Sequence, residues 1–338
     1  MPPLYITTQG AKLRYRKRRL VVEKDDQQIT AVPAIHVDEV LIMGNVSVTT
    51  PALSFLLAND LPTTFMTIRG RFKGRLVGPI GGHGRLRLRQ YARAMDDDWA
   101  LATARSIVGV KLHNTRTLLR RYARRMPDHE PSTALRHAAD DLATLLERAP
   151  RCRTINSLSG VEGRAAAVFF SVFRHLIRVP GWSFKRRNRR PPRDPVNALL
   201  SFGYTILTHQ VESAVRAVGL DPYIGFLHQT AYNRPSLALD LVEPFRSIVV
   251  DSVVLRSLNN KIILPDHFRY DPRGEYPVLL NEHGRERFIR ALENRLNLSF
   301  NHPARGERVT YRRCFELEAR RLARCLQTGR IHEPFKVR

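Results

Sequence analysis

The chain has 338 residues, enough for two domains with separate apolar cores, and its 43% hydrophobic content and mean hydropathy of -0.30 are ordinary for a soluble globular protein. Its charge is not ordinary: 56 Lys+Arg against 31 Asp+Glu give a formal net charge of +25 and a pI near 11.0, a field that favours polyanions and above all nucleic acid. Three scattered cysteines (Cys152, Cys314 and Cys325) exclude a disulfide framework or a zinc site built from cysteines, and with no secretory leader at Met1-Pro2-Pro3-Leu4 and no bilayer-length apolar run the reading is a cytoplasmic protein.

Short strands are predicted over Leu4–Thr8, Ala11–Tyr15, Leu20–Glu23, Ile29–Pro33 and Val37–Met43, divided by turn signals such as Gln9-Gly10 and Lys24-Asp25-Asp26. A short helix follows, with Thr50 as its expected cap, Pro51 in its first turn and Ala52–Ala58 as its apolar face. Leu61–Ile68 returns to strand character, and the glycines at 70, 74, 78, 81, 82 and 84 read as a hairpin and linker. From about Arg85 the hydrophobic period changes from 2 to 3.6. Arg87–Arg125 reads as one or two long helices with Leu101, Ala104, Val108, Leu112 and Leu119 buried, and Pro127–Pro131 breaks the pattern. Further helices are expected near 132–148, 157–178, 195–218, 236–258, 282–297 and 309–327. The fold class is therefore α+β, with a small β-strand domain at 1–85 followed by a larger all-α domain at 86–338, and no fixed-period repeat suggests a solenoid.

Three stretches of the helical half carry residues suited to chemistry. In Leu158-Ser159-Gly160-Val161-Glu162-Gly163-Arg164, Glu162 stands in the first turn of a helix that otherwise reads as buried; Ser159-x-x-Glu162 also fits a capping box. His228 ends Gly225-Phe226-Leu227-His228, where an imidazole is either a hydrogen-bonded core group or a ligand. In Arg234–Arg246, Ser236 can cap a helix on which Asp240 and Glu243, three apart, share a face. Such a pair is either simply solvated, with Arg246 neutralising Glu243, or held together by a cation. Taken together, these groups form a small anionic spot in a basic protein, as a DNA-processing metal site requires. Carboxylates suit Mg2+ or Mn2+, and an imidazole shifts the preference toward Mn2+.

At these residues the sequence resembles the CRISPR-associated integrase family, the first of the two adaptation proteins. The resemblance rests on Gly160-Val161-Glu162-Gly163-Arg164-Ala165-Ala166 for a G-x-E-G-x-x-A helix start, Gly225–His228 for G-x-L-H, and Arg234–Arg246 for R-x-S-L-x-x-D-L-x-E-x-F-R. Lys111-Leu112-His113-Asn114 is a further family-like stretch, and the match runs over nearly the whole chain. It implies that Glu162, His228 and Glu243 bind Mg2+ or Mn2+, with Asp240 as an assisting catalytic carboxylate; members often have aspartate at the position of Glu243. It also implies a homodimer, a heterocomplex with the small second adaptation protein, and prespacer and repeat duplexes as substrates. The implied chemistry is transesterification by a DNA 3′-hydroxyl, with a metal-dependent nuclease activity in many members. No nucleoside triphosphate is needed, and the chain has no G-x-x-x-x-G-K-S/T motif.

Basic segments remain to be assigned. Lys185, Arg186, Arg187, Arg189 and Arg190, beside Trp182 and Phe184, read as a mobile loop over DNA or as a solvated basic loop. Arg246 can hold a phosphate or only neutralise Glu243, and Tyr204 can face a DNA channel or lie in the core. Arg14–Arg19 reads as a solvated hairpin turn or, as the second reading, a contact to duplex backbone. Basic residues spread over so many segments, mostly as arginine, argue against a membrane anchor. Two other readings stay open: a nucleic-acid-binding protein without catalysis, and a structure-specific repair nuclease that works without repeats or a partner.

Overall fold

The computed structural model describes residues 3–78, 83–126, 130–189, 191–271, 274–275, 277–303 and 306–337. Met1-Pro2, Gly81, Gly82, Pro127 and Arg190 lie outside the described residues. The chain forms two compact units, residues 1–82 and 83–338.

The first unit holds β1 (Leu4–Ile6), β2 (Lys12–Arg16), β3 (Arg19–Lys24), β4 (Gln27–Pro33), β5 (Val40–Met43), β6 (Ser47–Val48), helix α1 (Thr50–Ala58), β7 (Thr63–Met66) and β8 (Phe72–Leu76). These make two four-stranded sheets, ordered β1-β5-β7-β8 and β4-β3-β2-β6. Ile6, Leu13, Leu20, Val22, Val40, Ile42 and Leu56 join both sheets and α1 in one core. β5 differs from the expected alternating strand: it pairs in parallel with a neighbour on each side and all four of its residues are buried, which is why it reads Val-Leu-Ile-Met without a polar gap. Thr50 is not the cap of α1. That position is Thr49, whose hydroxyl donates to the Leu13 carbonyl instead of accepting from the helix.

The second unit is mostly helical: α2 (Gly84–Ala94), α3 (Asp97–Arg124), α4 (Glu130–Arg148), α5 (Ile155–Val172), α6 (Pro195–Ala217), α7 (Ser236–Val242), α8 (Ser252–Asn259), α9 (Glu282–Leu296) and α10 (Tyr311–Thr328). It is not purely α, since β9 (Phe268–Tyr270) pairs with β10 (Val278–Leu280) and β11 (Ser299–Asn301) pairs with β12 (Arg308–Thr310). Asp96 caps α3 by accepting from the Trp99 N–H, with Asp97 and Asp98 in its first turn and Arg121 and Arg124 in its last, charges that suit the helix dipole. Leu101, Ala104, Val108, Leu112 and Leu119 are buried along α3. None of the described helices is long and apolar enough to cross a membrane.

Candidate metal centre and nucleic-acid interface

Glu162 projects from the middle of α5. The helix starts earlier than its apolar pattern suggests, because Thr154 accepts from the Ser157 N–H and the Ser157 hydroxyl accepts from the Thr154 N–H. The capping box is thus Thr154–Ser157, and the alternative Ser159–Glu162 box does not form. Leu158, Val161 and Ala165 form the buried face of α5, which leaves Glu162 at the edge with its Oε1 bonded to Lys111 Nζ of α3. Gly160 and Gly163 flank it on the exposed side, and a Cβ on either would meet nothing within 4 Å.

His228 is positioned by Asp240, which is fully buried and takes four donors. Its Oδ2 accepts from the backbone N–H of Phe226 at 2.6 Å and Leu227 at 3.0 Å; its Oδ1 accepts from the His228 N–H at 2.9 Å and from Nδ1 at 2.7 Å. A carboxylate so surrounded acts only as an acceptor, so Nδ1 carries a proton and donates to it, leaving Nε2 as the nitrogen turned away from Asp240. That nitrogen lies 3.9 Å from Glu243 Oε1. Gly225 makes the tight turn possible: a Cβ there would stand 2.7 Å from Asp240 Oδ2 and 2.8 Å from the Ser236 carbonyl carbon. Ser236 does not cap its helix as expected, but opens α7 and donates to the Gln229 carbonyl, tying the His228 loop to the helix start.

Glu243 begins a change of helical pitch. After α7 the chain takes a 3-10 turn over Glu243–Phe245, then a π turn over Arg246–Asp251, before α8 resumes. Pro244 has no N–H to give the Asp240 carbonyl and its ring crowds it, so the α-helical ladder is interrupted there. The Glu243 side chain is buried, with Lys111 Nζ at 2.5 Å from Oε2 and an Arg246 guanidinium nitrogen at 3.1 Å from Oε1. Burial alone would raise its pKa, but Arg246 and Lys111 outweigh it and hold the carboxyl at about 2. Arg246 also lies over the Tyr204 ring, 4.9 Å from its centroid, and Tyr204 donates its hydroxyl to Asp251. Burial pushes the Asp251 carboxyl up to about 7 against the pull of Tyr204, Arg246 and Arg187.

Lys111 and Asp251, which no sequence motif marks as site residues, belong to the network around Glu243. A lysine that opens a family-like stretch together with a polar Asn114 among the buried leucines of α3 was the available signal. Lys111 joins Glu162 to Glu243, and Asn114, fully buried, donates to the Pro244 carbonyl at 2.8 Å.

The basic loop is pinned where it meets α6. Arg187 turns inward, donating to Asn197 Oδ1 at 2.7 Å and Ser201 Oγ at 3.1 Å and lying over Tyr204, while Asn197 holds the Arg186 carbonyl. Lys185, Arg186 and Arg189 are exposed, and Arg190 is outside the described residues. Tyr204 and Arg246 are thus engaged in an internal network beside Glu243.

The residues fit a divalent cation. Two carboxylates from separate elements, one of them the buried Glu243, already meet on one positive group, the Lys111 ammonium. The Nε2 of His228 faces the same carboxylate. Glu162, His228 and Glu243 do not make a tight three-donor cluster in this arrangement, because the ammonium stands between the two glutamates. Asp240 has every lone pair engaged by N–H groups, which makes it a positioning residue for His228 rather than a ligand.

The pattern described as "CRISPR associated protein Cas1" matches residues 4–294. The chain is 40% identical over 327 residues, 95% of its length, to a "CRISPR-associated exonuclease Cas4/endonuclease Cas1 fusion" of Rhodospirillum rubrum, of which it spans only 55%. It is 36% identical to "CRISPR-associated endonuclease Cas1 3" of Thermus thermophilus, with 99% of this chain and 95% of that protein aligned. Among solved structures, a Cas1 protein from Thermotoga maritima superposes with a TM-score of 0.82 at 25% identity, covering 100% of both chains.

Proposed function

The chain belongs to the Cas1 family of CRISPR-associated proteins, and from that membership we propose that it is the metal-dependent DNA endonuclease and integrase of CRISPR adaptation, which inserts prespacer DNA into the repeat array. The observation that carries this reading is the meeting of Glu162 and Glu243 on one positive charge, beside an imidazole whose Nε2 faces Glu243, in a chain of net charge +25.

Glu162, His228 and Glu243 would hold Mg2+ or Mn2+. When bound, the ion supplies Lewis-acid polarisation of the scissile phosphodiester and eases deprotonation of the attacking hydroxyl. Asp240 keeps the His228 proton on Nδ1, so that Nε2 is available as a donor atom. Glu243 stays ionised throughout the physiological range because Lys111 and Arg246 counter its burial. Lys111 and Arg246 also offset charge accumulating on a phosphate brought against these carboxylates. Gly160 and Gly163 leave the α5 surface bare beside Glu162, which supports close approach of a phosphodiester backbone. In the exchange a DNA 3′-oxygen bonds to phosphorus, the bridging P–O bond of the repeat breaks, and its oxygen leaves with the proton; with water as nucleophile the same groups hydrolyse the strand.

Exposed Lys185, Arg186 and Arg189 would bind the duplex, with Arg190 beside them in sequence; Tyr204, Arg187 and Arg246 would act from behind this surface. The same reading makes residues 1–85 the dimerisation and DNA-contact part and 86–338 the catalytic part, in a cytoplasmic homodimer joined by the small second adaptation protein. Changing Glu162 or His228 to Ala should reduce strand transfer into a repeat-bearing plasmid by at least about a hundredfold while duplex binding persists. Normal integration by either variant would refute the assignment, and hydrolysis without joined products by the wild-type protein would favour a repair nuclease.

A further inference from the structure

A second cluster of metal-binding side chains lies in the same unit, on α10 and the segment that follows it. Cys314 and Glu318 are four apart on α10 and so share a face, and both are buried there. His302, which follows β11, reaches the same point. One donor atom from each of the three lies within 4.8 Å of the others, and all three side chains are buried. Beyond the end of α10, His332 is 0% exposed with Nε2 3.6 Å from Glu318 Oε2. Neither of its ring nitrogens has a hydrogen-bond partner among the described residues. An imidazole with two unmatched nitrogens in the interior is unfavourable unless something else binds there.

We propose that His302, Cys314 and Glu318, with His332 as the adjoining fourth donor, form a structural site for a zinc-type divalent ion. Sulfur, imidazole nitrogen and one carboxylate are the ligands such an ion takes in tetrahedral geometry. Bond lengths of roughly 2.0–2.3 Å place tetrahedral ligands about 3.3–3.8 Å apart, so closure draws these atoms in by about an ångström. The mixed set also explains why cysteine spacing did not reveal it, since only one cysteine takes part. Binding forms a metal–sulfur bond and releases the Cys314 thiol proton to solvent. Burial pushes the Cys314 thiol up, raises the Glu318 carboxyl to about 7 and lowers His332 to about 3.

The site would pin the C-terminal segment against the carboxylate centre. Glu318 Oε2 accepts from the Phe335 N–H at 2.9 Å, and the Phe335 ring stacks on Phe245 at 5.6 Å. Asn114 accepts from the Val337 N–H and donates to the carbonyls of both Phe335 and Pro244. A metal on α10 therefore braces the turn that carries Glu243 and the helix that carries Lys111.

Cobalt substitution of the full chain tests this apart from catalysis. The cobalt form should show a thiolate-to-cobalt charge-transfer band and the intense visible bands of a tetrahedral ion. Both should vanish in Cys314→Ser and persist in Cys152→Ser, Cys325→Ser and Glu162→Ala. Zinc removal should lower the melting temperature of the wild-type protein by about 4 °C or more, and of Cys314→Ser hardly at all. As a check that does not depend on the cysteine variant folding, His332→Gln should purify with about one zinc-class ion fewer per chain. Absence of the charge-transfer band from the wild-type protein, or its survival in Cys314→Ser, would overturn the proposal. So would equal metal content in wild type and His332→Gln.

Discussion

Two buried polar clusters in the helical unit solve the burial of a carboxylate in opposite ways. Around Glu243 the chain supplies its own cations, Lys111 and Arg246, and the carboxyl is held at about 2 in spite of burial. Around Glu318 burial dominates: its carboxyl rises to about 7, and its neighbour His332 falls to about 3. The first centre keeps its charge and sits next to an exposed helix surface bared by two glycines. The second is sealed among the aromatic rings of Phe245, Phe300, Phe315 and Phe335. A charged, reachable centre suits a hard ion that must meet a phosphate, whereas an enclosed one with a sulfur donor suits an ion that only braces the fold.

The comparison can be broken most forcefully at Asp240. Asp240→Asn places a donor NH2 against N–H groups and frees the His228 tautomer, so Mn2+ affinity should fall about 10- to 100-fold, with about 1–3 kcal/mol of stability lost as well. Calorimetric Mn2+ titration of the folded variant checks this; unchanged affinity would remove Asp240 from its positioning role. The cobalt bands of the Cys314 cluster should be untouched by the same change, which keeps the two centres separable.

Lys111 sharpens the contrast. Lys111→Met leaves Glu243 with Arg246 alone and Glu162 without its partner, which should reduce stability by about 1–3 kcal/mol in denaturant melts. Saturating Mn2+ should restore most of that loss, because the ion would take over the charge that bridges the carboxylates. A loss that Mn2+ leaves in place would show that Lys111 is a structural pin and not a stand-in for a cation.

The smallest expected effect is at Gly163. An alanine has room there, and in an exposed helix interior it should raise stability by about 0.5–1 kcal/mol. The same methyl group would narrow the bare surface beside Glu162, so strand transfer should fall several-fold as the melting point rises. A rise in both would mean that nothing approaches the helix at this point.

Sequence patterns were most informative where one element carries the signal. The 3.6 period found α3 and its buried leucines, and the turn signals found most strands of the first unit. Glu162, His228, Asp240 and Glu243 stood out as candidates because acidic groups and a histidine are conspicuous in a chain of net charge +25. Caps were harder to read. Thr154 rather than Ser159 starts α5, and Pro235 precedes α7 with no side-chain cap, because loop contacts set those ends. Least legible was what required three dimensions: Lys111 meeting two glutamates from other helices, Pro244 forcing the helix through three pitches, and His302 and His332 converging on α10. Two of the short strand pairs, β9–β10 and β11–β12, escaped because three-residue strands leave no period to detect.

A crystal of the full chain soaked in Mn2+ and measured for anomalous scattering would decide the matter most directly. The account predicts a manganese peak ligated by Glu162, His228 Nε2 and Glu243, with the Lys111 ammonium displaced from between the two carboxylates. A peak elsewhere, with Lys111 still bridging Glu162 and Glu243 at saturating Mn2+, would contradict it.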